Sequence, residues 1–141
     1  MRKKRTIIWA GILCLVLTGA GWAWHLYDKP HTSAAGETAD VTIDADTLYH
    51  QYQTDERAAD QRYMGKLLKV TGRLSEVQRS GHTEIWILSA EPSAGGGGIN
   101  CQLFAGTTID HEPKTGDVVV VKGRCTGFLM DVNLADCVPD K

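Results

Sequence analysis

No C-x-x-C pair occurs in this sequence, no H-x-H or H-x-x-x-H spacing, and no G-x-S-x-G. Structural zinc sites and dithiol redox centres need the paired spacings. A serine nucleophile on a strand-to-helix elbow needs the last. Cationic charge is also in short supply, with fifteen Lys and Arg against seventeen Asp and Glu. Setting aside Arg2, Lys3, Lys4 and Arg5 leaves eleven against seventeen, a formal −6 beyond residue 5. A protein that holds a phosphate backbone by charge carries a basic excess or stripe. Lys66, Lys69, Arg73, Lys122 and Arg124 therefore read as solvated strand residues, and the balance disfavours nucleic acid as a partner. The run Gly95 to Gly98 has neither the Lys-Ser/Thr nor the helix of a phosphate loop, and reads as a flexible connection. "DHE" at Asp110 to Glu112 reads as solvated loop, and the acids show no acid–base pair. No catalytic residue, metal ligand or cofactor is expected.

Long apolar runs are scarce too, with one exception at the N-terminus. Four basic residues precede an uncharged stretch from Ile7 to Trp24 that continues to Tyr27. At about 1.5 Å per residue it just crosses a hydrocarbon core of about 30 Å. Trp22, Trp24 and Tyr27 suit the far headgroup layer, and the basic flank predicts a cytoplasmic N-terminus. Residues 1–27 thus read as a membrane anchor. A cleaved signal peptide would need the small residues near Ala20 or Ala23, where Trp22 and Trp24 crowd the site. Lipidation at Cys14 is disfavoured by the bulky Leu13 before it. The expected topology is single-pass, with the rest of the chain outside the cytoplasm.

Residues 28–43 are small and polar and read as a tether. Residues 44–141 read as one domain. "DADTLYHQYQTDERAADQRYMG" predicts a helix with Asp44 or Asp46 as N-cap, Leu48, Tyr52, Ala59 and Tyr63 at helical spacing, and Gly65 at its end. Five strands follow: "KLLKVTGRLSEVQ", "TEIWILSA", "INCQLFA", "VVVVKGRC" and "MDVNLADCV". Gly72 suits a sharp bend. Three strands in a meander, a connection, then a hairpin is the order of an OB-fold barrel, with other small barrels as alternatives. The valines at 118–121 predict a strand covered on both faces, by the barrel interior and by the helix carrying Leu48 and Tyr52.

"YMGKLLKVTGRLSEV", "GGGINC" and "KGRCTGFLMDVNLADC" together resemble the bacterial tRNA-anti-like OB-fold family of small membrane-anchored envelope proteins. The short anchor followed by "LYDKPH" is similar to members of the same group. The resemblance implies a mainly β protein: a five-stranded OB barrel behind an N-terminal helix, with one transmembrane helix. The same resemblance implies an anchor in the bacterial cytoplasmic membrane, with the rest of the chain in the periplasm or cell exterior. It implies no established activity, because the family name records a likeness of fold. One departure is the connection before the fourth strand, where Pro113 and Gly116 argue against the usual helix.

In an oxidising compartment Cys101, Cys125 and Cys137 allow one disulfide and one spare thiol. A regular hairpin separates Cys125 from Cys137, whereas the third strand of an OB barrel borders the fifth. Cys101 with Cys137 is therefore favoured over Cys101 with Cys125, and unbonded buried thiols are the alternative. For a ligand, an inward Ile85 and Ile87 would turn Trp86 outward beside Asn100, Gln102 and Phe104, on the face OB-folds use. A one-residue slip swaps the faces and buries Trp86, and that slip is the blander reading. These features predict a non-enzymatic, membrane-tethered binding module with an envelope protein or glycan partner. The alternative is a single-stranded nucleic-acid-binding domain.

Overall fold

The computed structural model describes residues 34–90, 97–109 and 111–140. A short 3-10 turn, Ala34–Gly36, leads into β1 (Val41–Asp44), α1 (Ala45–Thr54), α2 (Glu56–Tyr63), β2 (Leu67–Ser80), β3 (Thr83–Ser89), β4 (Gly98–Leu103), β5 (Val118–Phe128) and β6 (Val132–Asp140). The sheet runs β1-β2-β3-β4-β6-β5, and β2 also pairs with β5. Strands β2 to β6 therefore close into a five-stranded barrel, which leaves β1 as a parallel extra strand on β2.

Closure depends on β2 serving two partners. Leu67–Arg73 pairs with β5, Arg73–Ser80 pairs with β3, and a bulge falls between Leu74 and Glu76. Gly72 sits at the changeover, where an added Cβ would lie 2.8 Å from Ala45 Cβ. Only a missing side chain lets α1 approach there. β1 occupies part of the stretch expected to be tether, so the ordered domain begins earlier than residue 44. Asp40 explains why: its carboxylate accepts from Leu67 N–H at 2.9 Å, and its own N–H donates to Leu67 C=O at 2.8 Å.

The predicted single helix is two helices. Asp55, extended at φ −154°, breaks the run, and its carboxylate accepts from Ala58 N–H to cap α2. A short acceptor side chain at a helix start competes with continued α-structure, which is why Asp works as a stop and restart. Gly65 ends the pair at φ +76°, as expected. α1 packs against strands β1, β2, β3, β4 and β6 and so covers one end of the barrel. Tyr52 stacks on Phe128 at 5.5 Å between centroids, and Tyr49 meets the same ring edge-on at 5.9 Å.

The valine run departs from expectation. Val121 is buried, Val119 and Val120 are half-buried, and Val118 is 62% exposed. Val118 pairs only with Arg73 at the end of the strand, and the helix covers the barrel's end rather than this strand's outer face. The connection from Phe104 to Asp117 contains no helix among its described residues, in line with its Pro and Gly. The expected anchor, residues 1–27, lies outside the described residues. Among these no helix is long and apolar enough to cross a membrane.

Two acids are buried in neutral form. Burial, with a hydrogen bond to Cys125 at 3.3 Å, pushes the Tyr52 phenol far above its ordinary 10.0. A hydrogen bond with the Cys101 thiol, followed by burial, pushes the Cys137 thiol well above 9.0. For an acid with a raised folded pKa, the unfolded chain ionises first. Its contribution is complete below the ordinary value and declines as pH rises above it. With Cys137 reduced, stability should hold to about pH 9 and then fall, by about 1.4 kcal/mol per pH unit for each such group; with Cys137 oxidised, the fall begins near pH 10 and comes from Tyr52 alone. Urea midpoints between pH 7 and 11 test this, and Tyr52→Phe should make the decline above pH 10 shallower.

Candidate ligand-binding groove

Cross-strand partners share a face, and the ladder settles which face each residue takes. Trp86 is opposite Cys101, Ile85 opposite Gln102, and Ile87 opposite Asn100. Trp86, Leu88, Ile99, Cys101 and Leu103 all point into the barrel and are buried. Ile85, Ile87, Asn100 and Gln102 consequently share the outer face. On β6 the same alternation buries Val132 and Leu134 and leaves Asn133 outward, in register with Asn100.

These residues line a groove of about 300 Å³ across β2, β3, β4, β6 and β5. Its wall is made of Gln78, Asn100, Gln102 and Asn133, with Thr126 and Asp131, and Ile85 and Ile87 supply apolar surface. Asp131 is the only charged residue among the lining, and no aromatic ring is present. The polar set is held in place from behind. Gly98 N–H donates to Asp131 Oδ1 at 2.7 Å, and Asn133 Nδ2 donates to the Asp131 carbonyl at 3.1 Å. Asn100 Nδ2 lies 3.4 Å from both Asp131 Oδ2 and Asn133 Oδ1. Thr126 Oγ1 donates to Asn133 C=O at 3.1 Å. The outward edge is a row of carboxamides, each offering a donor and an acceptor together.

Of the four residues expected on this face, the structure brings two together. Asn100 and Gln102 are in the groove. Trp86 is not: it is 2% exposed, and its indole N–H donates inward of the rim to Glu84 Oε1 at 2.8 Å. Treating β3 and β4 as independent alternations allowed an outward Trp86 beside an outward Asn100, which paired strands cannot satisfy. Phe104 follows the last residue of β4 and packs, half-buried, against the cluster of Ala34, Leu67 and Val138, away from the groove. Ile85, Ile87, Asn133 and Asp131 were missed. The signal for Asp131 and Asn133 was present in "DVNL", whose polar residues alternate with apolar ones. Among the described residues Cys101, Cys125 and Cys137 are buried, with no disulfide between them. Among the described residues no group of His, Cys, Asp or Glu is arranged to hold a metal ion.

No curated protein matches this chain in sequence. Among solved structures, a lipoprotein from Klebsiella pneumoniae, provisionally described as nucleic acid-binding, is similar over 74% of this chain and 100% of its own, with 14% identity and a TM-score of 0.53. That likeness is one of fold. An OBody bound to hen egg-white lysozyme matches 57% of this chain and 79% of its own, at 24% identity and a TM-score of 0.41. The tRNA_anti-like family model matches residues 1–138. With the closed barrel, its helical end cap and that match, the chain belongs to the tRNA-anti-like family.

Proposed function

We propose that this chain is a non-enzymatic binding module of the bacterial envelope, tethered by its N-terminal apolar segment. Its ligand face is the groove over β3, β4 and β6. The observation that carries this reading is the lining: four carboxamides, one hydroxyl, two isoleucines, the Asp131 carboxylate and no cation. Such a surface fits an uncharged, hydrogen-bonding chain, either a neutral glycan or a protein segment.

Single-stranded nucleic acid is the second reading, favoured by the family and by the provisional description of the Klebsiella lipoprotein. Its phosphates would meet the Asp131 carboxylate and no lining Lys or Arg, and its bases would find no ring to stack on. The physical balance favours the neutral partner.

The side-chain amide resonances of Asn100, Gln102 and Asn133 give a direct test in the full chain. Neutral envelope oligosaccharides, envelope protein fractions and oligothymidylate would be titrated in turn. The neutral glycan or a protein fraction should shift these amides, with an affinity little changed between 50 and 200 mM salt. Asn100→Ala should weaken that binding about 3- to 10-fold, as expected for one lost hydrogen bond of about 0.5–1.5 kcal/mol. Shifts produced by oligothymidylate alone, with affinity falling steeply as salt rises, would establish the second reading instead.

A further inference from the structure

Two features converge on one sulfur atom, a bulge in β6 and a glycine in β5. The first is in β6. Cys101 is opposite Leu134 and Leu103 is opposite Cys137, so two steps along β4 match three along β6. Asp136 takes up the extra residue at φ +53° and is the only described non-glycine residue with positive φ. Without this bulge Cys137 would stand level with Phe104 and point away from the core. With it, Cys137 points inward, one side-chain position along from Cys101, and both are 0% exposed. The second feature is in β5, where an added Cβ at Gly123 would lie 2.3 Å from Cys137 Sγ. The glycine leaves the space that this sulfur fills. Cys125 is engaged elsewhere, with its sulfur 3.3 Å from Tyr52 Oη.

We infer that Cys101 and Cys137 form a disulfide that clasps β4 to β6, the two strands carrying Asn100, Gln102 and Asn133. The oxidant is the disulfide of a thiol oxidase. One cysteine thiolate attacks that disulfide, whose S–S bond breaks to give a mixed disulfide and a leaving thiolate. The second thiolate attacks the mixed disulfide, forms the Cys101–Cys137 bond and releases the oxidase as a dithiol. In total two protein thiols lose two protons and two electrons, and the oxidase disulfide gains them. Both sulfurs are inaccessible in the closed barrel, so exchange precedes closure. The residues lie thirty-six positions apart, and a link of that length restricts the unfolded chain strongly.

The test uses full-length protein recovered from membranes of cells with an oxidising envelope, denatured in an alkylating agent without reductant, then digested and weighed. Peptides containing Cys101 and Cys137 should be joined, with Cys125 alkylated. The Cys125→Ala variant should keep the joined pair. Cys101→Ser should lose it without producing a Cys125–Cys137 link. Protein reduced while unfolded and then refolded with its thiols free should melt about 10 °C or more below the oxidised protein. Alkylation of Cys101, Cys125 and Cys137 alike, or a link that includes Cys125, would overturn the pairing. A joined pair whose reduction leaves the midpoint unmoved would overturn its role as a clasp.

Discussion

Replacing Trp86 by alanine should destabilise the domain by about 3–5 kcal/mol, the range for deleting a fully buried large aromatic. Trp86 heads the fully buried side chains by volume and is packed between Val77 on β2 and Cys101 on β4. Its removal opens a cavity in the middle of the barrel, where five hydrogen-bonded strands limit how far the walls can collapse. Small domains are stable by about 5–15 kcal/mol, so much of the folded population would be lost. Trp86→Phe leaves a smaller cavity, because it keeps a six-membered ring in the barrel and loses the pyrrole half of the indole together with the N–H that reaches Glu84. It should cost clearly less than the alanine variant. Urea unfolding followed by far-ultraviolet circular dichroism measures both variants without relying on tryptophan emission. A loss under about 1 kcal/mol for Trp86→Ala would mean that the indole is not core, and would return it to the ligand face.

Much of the fold could be read from local pattern. Polar–apolar alternation in "INCQL" and "DVNL" identifies strands and the inward set on each, because a half-covered strand must alternate. Gly72 and Gly65 are needed for a close approach and for a left-handed turn, respectively, and both features leave a trace in sequence. Trp86 resisted this approach. "EIWIL" is apolar at four consecutive positions, so alternation alone does not choose a face; the choice comes from pairing with β4, a relation between distant segments. The valine run misled for a similar reason. Four β-branched residues predict cover on both sides, but Val118 extends to the end of the β2–β5 pairing and is left in solvent.

The groove was legible only in half. Asn100 and Gln102 follow from the alternation of β4 once its apolar residues are assigned inward. Asn133 comes to them through the parallel β4–β6 pairing, a relation between distant segments, and Asp131 stands just ahead of β6; further along, that pairing includes a bulge. A bulge changes which residues face outward for the remainder of a strand, and nothing local in "LADCV" announces one. Asp136 is the closest to a signal, since short polar side chains are the non-glycine residues that best tolerate left-handed backbone. The same bulge turns Cys137 inward. The electrostatic character of the groove was visible earlier, in the shortage of cations beyond residue 5.

Gly98→Ala should cost about 2–3 kcal/mol and disturb the groove at the same time. The added Cβ would lie 2.4 Å from the Leu88 carbonyl oxygen, a backbone atom that cannot rotate away. Relief requires β3 and β4 to separate at their first paired residues, Ser89 with Gly98 and Leu88 with Ile99. Overpacking of this kind costs about 1–3 kcal/mol, and backbone atoms on one side place it at the upper end. The shift also draws Gly98 N–H from Asp131 Oδ1, now 2.7 Å away, releasing the carboxylate that accepts from Asn100. Asp131→Ala isolates that second effect, since it removes the acceptor without moving the strands, and should cost only about 1–2 kcal/mol. Gly81→Ala is a control for left-handed strain alone, because φ is +60° there and no atom lies within 4 Å of the added carbon. Thermal melts would rank the three, with Gly98→Ala lowest by about 10 °C from the parent. If Gly98→Ala melts level with the Gly81 control, β4 is not seated against Leu88 as described. The run of glycines would then be the flexible connection that its composition suggests.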